Sequence, residues 1–223
     1  VNSDNFDLNK LPSHRSKTFS RRGVLVGGTI AGLSGAVGFS ALSAGSSQAS
    51  TPSAAAGDAA VLNKALFYEH QAIWAYQFAA GKLSDSDIGK AVLAVAQSNL
   101  RDHMAHRDTL TEVVKSLGAT PAVAASTYDL SAYIEQGEGN IDNDVNIAKL
   151  ALALETDAAI AYGQEIALLK TPALITAGAS IGADEAAHAT AIRAAFVSLG
   201  VDIPVVPASF LSADTRSQWI VKV

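Results

Sequence analysis

Two stretches of this chain carry the same frame. Leu66-x-x-Glu69-x-x-Ala72-x-x-Ala75-Tyr76 and Leu152-x-x-Glu155-x-x-Ala158-x-x-Ala161-Tyr162 agree at every named position. Steps of three and four residues are helical spacing. A second pair follows each frame: Asp102-His103-Met104-Ala105-His106 and Asp184-Glu185-Ala186-Ala187-His188, in which Asp, Ala and His match in register. From Glu69 to His106 is 37 residues and from Glu155 to His188 is 33, so glutamate and histidine meet at a similar level in each half. Glu185 and His188 stand three apart, one turn from each other on one helix face. The chain is thereby constrained to two related helical hairpins with polar side chains at one shared depth.

The rest of the sequence supplies the four helices this needs. The first spans 58–80, with apolar residues at Val61, Leu62, Ala65, Leu66, Ile73, Trp74 and Phe78 and a stop at Gly81. Ser84-Asp85-Ser86-Asp87 supplies caps for a second helix that runs to residue 117, before Gly118. The short link makes these two antiparallel neighbours. Residues 118–143 hold Pro121, Gly137 and Gly139 around a small apolar cluster of Tyr128, Leu130, Tyr133 and Ile134, and read as a long crossover containing one short helix. The third helix spans 143–170, and Thr171-Pro172 opens a fourth that ends at Gly200. Residues 201–223, with Pro204 and Pro207, read as an irregular tail packed along the bundle. Hydrophobic content is 49% and rich in alanine, the best helix former and one that lets helices approach closely. The expected fold is all-α, an antiparallel four-helix bundle with a long crossover between its second and third helices.

Composition narrows the chemistry. With no cysteine there is no disulfide, thiolate zinc site or thiolate iron–sulfur cluster, so any metal is held by His, Asp, Glu or backbone oxygen. A net charge of −5 gives no reason to expect nucleic acid as a partner. The bundle region has no glycine-rich phosphate loop and no Gly-x-Ser-x-Gly elbow.

Residues 1–49 read as a polar, disordered leader followed by an export signal. Ser20-Arg21-Arg22-Gly23 precedes a moderately apolar, glycine-rich run over 24–44, which resembles a twin-arginine signal. Ser47-Gln48-Ala49 offers a small-x-small cleavage site, leaving residues 50–57 as a linker. The competing reading is an uncleaved anchor, since the run is near the spanning length. Either way the folded domain lies outside the cytoplasm, periplasmic or extracytoplasmic, with the twin-arginine export machinery as a partner. That route carries folded and often cofactor-loaded proteins.

The duplicated frames, the Glu185-x-x-His188 pair, Arg107-Asp108-Thr109-Leu110 after the histidine and Gly118-Ala119 before Tyr128-Asp129-Leu130 carry a resemblance. Residues 58–200 resemble the ferritin-like superfamily, and within it exported bacterial ferritin-like domains. In that superfamily each half contributes a glutamate from its first helix and Glu-x-x-His from its second. The resemblance implies a metal inside the bundle, held by Glu69 and His106 from one half and by Glu155, Glu185 and His188 from the other. It further implies Asp184 holding His106 and Asp102 holding His188.

One position departs. Where the pattern has a glutamate on the second helix, this chain has His103. Two divalent ions bring +4, whereas Glu69, Glu155 and Glu185 supply −3. The di-iron centre of an oxidase is therefore disfavoured. A single ion, or a looser pair with nitrogen-rich coordination, fits His103 and the other five residues better: iron, zinc, manganese or copper. Tyr76 and Tyr162, two turns from the glutamates, read as core residues with bonded hydroxyls. His70 points about 100° away from Glu69 and reads as a surface or interface residue. Two functions follow. One is a metal-binding protein for metal handling or oxidative stress, with iron or peroxide oxidation as its enzymatic form. The other is a metal-free bundle with a structural or interaction role, its alanine-rich faces pairing with another copy in a homo-oligomer.

Overall fold

The computed structural model describes residues 52–223. The leader, with Arg21, Arg22 and the cleavage site, lies outside the described residues. Four long helices make the bundle: α1 (Pro52–Ala80), α2 (Asp87–Ser116), α4 (Asp144–Glu165) and α5 (Pro172–Ser198). Two short ones, α3 (Ser131–Glu135) and α6 (Arg216–Trp219), lie in the crossover and the tail. The described residues contain no strand. The main pairings are α1 with α2 and α4 with α5, two hairpins joined by the crossover. This is the expected ferritin-like topology.

Helix boundaries follow local chemistry. Ser86 caps α2 by accepting the Gly89 N–H at 3.0 Å, and Asn143 caps α4 by accepting the Asn146 N–H at 2.9 Å. Gly118 (φ 78°) and Gly200 (φ 87°) follow the ends of α2 and α5 in the left-handed conformation that glycine adopts without strain. Two boundaries differ from expectation. Helix α1 begins at Pro52, so residues 52–57 extend the helix rather than link to it. Proline suits a first helical position, and the alanines at 54–56 favour continuation. The third helix ends as an α-helix at Glu165 and tightens into a 3₁₀ turn over Ile166–Leu168. There the buried Asp58 carboxylate accepts the N–H groups of Lys170 (2.7 Å) and Thr171 (3.1 Å), tying the α4–α5 junction to α1.

The apolar core is split by a polar level. One cluster includes Leu62, Leu66, Leu110, Val114, Tyr162 and Leu174. A second includes Val92, Ile147, Leu152, Ile192, Phe196 and Trp219. Burial of each large aliphatic or aromatic side chain contributes about 1.5–3 kcal/mol. The buried stripes of α2 and α5 run continuously through both clusters. Midway they carry Asn99 and His103 on α2, and Glu185 and His188 on α5.

The tail is tied to the bundle by two arginines and a tryptophan. Trp219 enters the core, and the buried Arg193 guanidinium donates to the carbonyls of Pro204 and Trp219. Arg216 forks onto Glu138 of the crossover at 2.7 and 2.6 Å and reaches Asp157 of α4. Among the described residues, no helix is long and apolar enough to cross a membrane.

Candidate metal centre

The helix frames bring Glu69 from α1, His103 and His106 from α2, Glu155 from α4, and Glu185 and His188 from α5 to one level in the bundle. Glu69, His103, Glu155 and Glu185 are at most 2% exposed. All six residues predicted from the sequence meet there.

The arrangement has approximate two-fold character. Glu69 Oε2 lies 2.9 Å from His103 Nδ1, and Glu155 Oε1 lies 3.1 Å from His103 Nε2. His103 therefore spans the two halves with one nitrogen for each. Glu185 does the same with its carboxylate: Oε1 lies 3.2 Å from His106 Nδ1, and Oε2 lies 3.5 Å from His188 Nδ1. The substitution of imidazole for carboxylate has kept the bridging position while reversing its charge preference.

His106 and His188 both turn Nδ1 inward. Their Nε2 atoms face outward, His106 to Asp184 Oδ2 at 3.3 Å and His188 to Asp102 Oδ2 at 3.4 Å. This is the cross-half pairing implied by the resemblance. An outer carboxylate holding Nε2–H leaves Nδ1 as the inward donor atom to a cation. Asp102 and Asp184 are nearly half exposed, so they also mark the polar approach from solvent.

The tyrosines are structural partners across the halves. Tyr162 of α4 donates to Glu69 Oε1 of α1 at 2.5 Å, and Tyr76 of α1 donates to Glu155 Oε1 of α4. Each hydroxyl fixes the glutamate of the opposite hairpin, not the one on its own helix. Burial and the adjacent carboxylates push both phenols well above their ordinary range, so they stay protonated donors. Asn99 escaped the sequence reading. It donates to the Tyr76 hydroxyl at 2.9 Å and approaches Glu155 Oε1 at 3.4 Å. Its signal was its place four residues before His103, on the same helical face. His70 lies off the site, as expected, with Nε2 3.1 Å from the Ala122 carbonyl of the crossover.

Without a cation the histidines carry the balancing charge. Burial opposes protonation of His106, but Asp184, Glu185 and Glu69 outweigh it and push the imidazole up to about 11. His188 is raised to about 10 in the same way by Glu155 and Glu185. Burial likewise opposes ionisation of Glu69, yet His103 and His106 hold it down at about 2. Glu185 is the exception: burial dominates and pushes its carboxyl up. Both Glu185 oxygens and His106 Nδ1 are buried with no hydrogen-bond partner. Close approach to imidazoles without alignment leaves these atoms unsatisfied, and a buried carboxylate in that state is costly.

Two overlapping sets of donor atoms lie within 4.8 Å of one another: Glu69, His103, His106 and Glu185, and His103, Glu155, Glu185 and His188. A third set, Asp102, Asp184 and His188, lies on the solvent side. Mixed imidazole and carboxylate donors suit iron, zinc, manganese or copper. The orphaned Glu185 oxygens between two inward Nδ1 atoms fit a cation.

Comparison with known proteins agrees with the fold. A crystal structure of a conserved hypothetical protein from Mycobacterium tuberculosis superposes with a TM-score of 0.52 at 24% identity, covering 72% of this chain and 99% of that one. That likeness concerns the fold alone. No curated protein shows significant similarity to the chain. The ferritin-like domain family matches residues 57–198, which take in the four bundle helices apart from the first five residues of α1 and include every residue of the centre, and the chain belongs to that family.

Proposed function

We propose that this chain is an exported metal-binding protein that holds one ion, or a loosely coupled pair, inside its bundle. The observation that carries the reading is Glu185. Its carboxylate is wholly buried, both oxygens lack a hydrogen-bond partner, and each faces an inward Nδ1. A divalent cation satisfies such a group where a neighbouring imidazole does not. Glu69 with His106, and Glu155 with His188, are the remaining ligands of the two halves, and Glu185 is common to both. Asp184 and Asp102 hold the two histidines, and Tyr162 and Tyr76 orient the two outer glutamates. A bound iron or copper ion would supply one-electron chemistry suited to metal handling or oxidative stress, whereas zinc would supply only structure or Lewis acidity. Export rests on Arg21-Arg22 and the run over 24–44.

The direct test is metal titration of the full chain by calorimetry, with Glu185→Gln beside it. Glutamine keeps the shape and removes the charge, so affinity should fall about 100-fold. Unchanged affinity would remove Glu185 from the ligand set. Cell fractionation of wild type against Arg21→Lys with Arg22→Lys tests export: retention of the variant in the cytoplasm is expected, and equal export contradicts that part.

A specific observation favours a second reading. His103 already meets Glu69 and Glu155, one with each nitrogen, and a protonated His103 neutralises part of the site without metal. Under that reading the bundle is a metal-free scaffold, and metal titration of wild type would be flat.

A further inference from the structure

The polar centre has a second neighbour besides the carboxylates on its solvent side. A cavity of about 290 Å³ begins at His103, Tyr76 and Glu155 and continues among apolar side chains of all four bundle helices. The crossover covers it with Leu130, Tyr133 and Ile141. Exposed Phe78, Ile88 and Leu199 line it near the turn between α1 and α2. Ile88 and His103 are fifteen residues apart on α2, so the lining extends over roughly 22 Å of helix at 1.5 Å per residue.

The space has an identifiable origin in the sequence. Ala72 and Ala75 of the first frame, and Ala158 and Ala161 of the second, all line it. The duplicated alanines thus hold side-chain volume away from the interior instead of bringing the helices into contact. Because the cavity opens at Phe78, Ile88 and Leu199, its apolar lining faces water when nothing fills it, an exposure that an apolar occupant removes. An apolar cavity of about 150 Å³ stays dry and accepts benzene, and this one is nearly twice that size.

Its lining also sets the charge of an occupant. No lysine or arginine lines the cavity, and its ionisable carboxyl groups are Glu155 and Asp157. Both nitrogens of His103 already face Glu69 and Glu155. A carboxylate or phosphate ligand would enter without a counter-ion and beside a glutamate, a costly burial. An uncharged molecule with an aliphatic body and one hydroxyl meets no such barrier, and its hydroxyl can donate to the Glu155 carboxylate, which keeps acceptor capacity beside Tyr76 and His103.

We infer that this cavity is a binding site for an uncharged, largely aliphatic small molecule whose polar end rests against His103 and Glu155. The inference goes beyond the metal reading and does not depend on it. The test uses the full chain, both as isolated and after chelator treatment, titrated with 1-decanol and with decanoate by displacement of N-phenyl-1-naphthylamine. Saturable binding of decanol, with decanoate at least about tenfold weaker, is expected in both preparations. Ala75→Leu with Ala158→Leu fills the middle of the cavity and should weaken decanol at least about tenfold with metal content unchanged. Ala79→Leu, closer to the α1–α2 turn, should act the same way and serves if the double variant does not fold. No displacement from folded wild type, equal affinity for a folded filled variant, or decanoate binding as tightly as decanol would each overturn the inference. Decanol binding by a chain that takes up no metal would support it while refuting the metal reading.

Discussion

Replacing His103 by glutamate tests the charge logic of the centre in both directions. In the metal-free protein His103 is raised well above the ordinary imidazole range, its burial outweighed chiefly by Glu155 and Glu185, and it is charged. It bridges Glu69 at 2.9 Å and Glu155 at 3.1 Å. His103→Glu removes two charge-assisted hydrogen bonds and puts a fourth carboxylate among three. At about 1.5–3 kcal/mol for each bond, and allowing for a replacement carboxyl that takes up a proton and donates, the loss is about 4 kcal/mol. For a domain of this size that lowers Tm by about 8–16 °C. With divalent metal present the loss is offset, because four carboxylates balance the +4 of two ions. Free metal at about a thousand times Kd returns about 4 kcal/mol. The assay is scanning calorimetry of wild type and variant, with chelator and with Mn²⁺, together with metal stoichiometry. A metal-free variant melting within about 2 °C of wild type would refute the bridging role of His103. A variant that gains no metal over wild type would refute the charge argument.

Other outcomes follow from single contacts. Tyr162→Phe removes the hydroxyl that holds Glu69 at 2.5 Å and should cost about 2 kcal/mol, read as a shift in denaturant midpoint without a change in slope. Arg216→Ala leaves Glu138, 2% exposed, without its fork, and should cost about 3 kcal/mol and release the tail to limited proteolysis. The same pair predicts a pH effect. Hydrogen bonds from Arg216 hold the Glu138 carboxyl below its ordinary value, so its stabilisation is complete above the unfolded carboxylate range and is lost as pH falls through the lower folded value. Acid titration of Tm should show this loss below about pH 4.5 in wild type, and a smaller one in Arg216→Ala.

The fold was legible because the duplicated frames fix two hairpins, and cap and stop residues lie where the helices turn. Ser86, Asn143, Gly118 and Gly200 act locally, so sequence suffices to place them. The start of α1 was less legible, since Ser53 to Gly57 carry no apolar periodicity and only helix propensity extends the helix to Pro52. The six residues of the centre were legible for the same reason as the fold: helical spacing places them on inward faces. The contacts of the two tyrosines with the outer glutamates were not. Tyr76 and Tyr162 cross to the opposite hairpin, contacts that helical spacing within one hairpin does not show. Asn99 has Ile181 as its counterpart in the other half, so the repeat concealed it. The alanines at 72, 75, 158 and 161 line a cavity where close helix packing is the expectation. A small side chain permits either close approach or a void, and only the separation of the helices decides which.

Anomalous diffraction at the metal absorption edge, from crystals of the full chain soaked in Mn²⁺ or Zn²⁺, addresses the central claim most directly. A peak about 2.0–2.3 Å from Glu185 and from the Nδ1 atom of His106 or His188 is predicted. Ordered side chains at the centre with no peak, or metal found only on the protein surface, would contradict it.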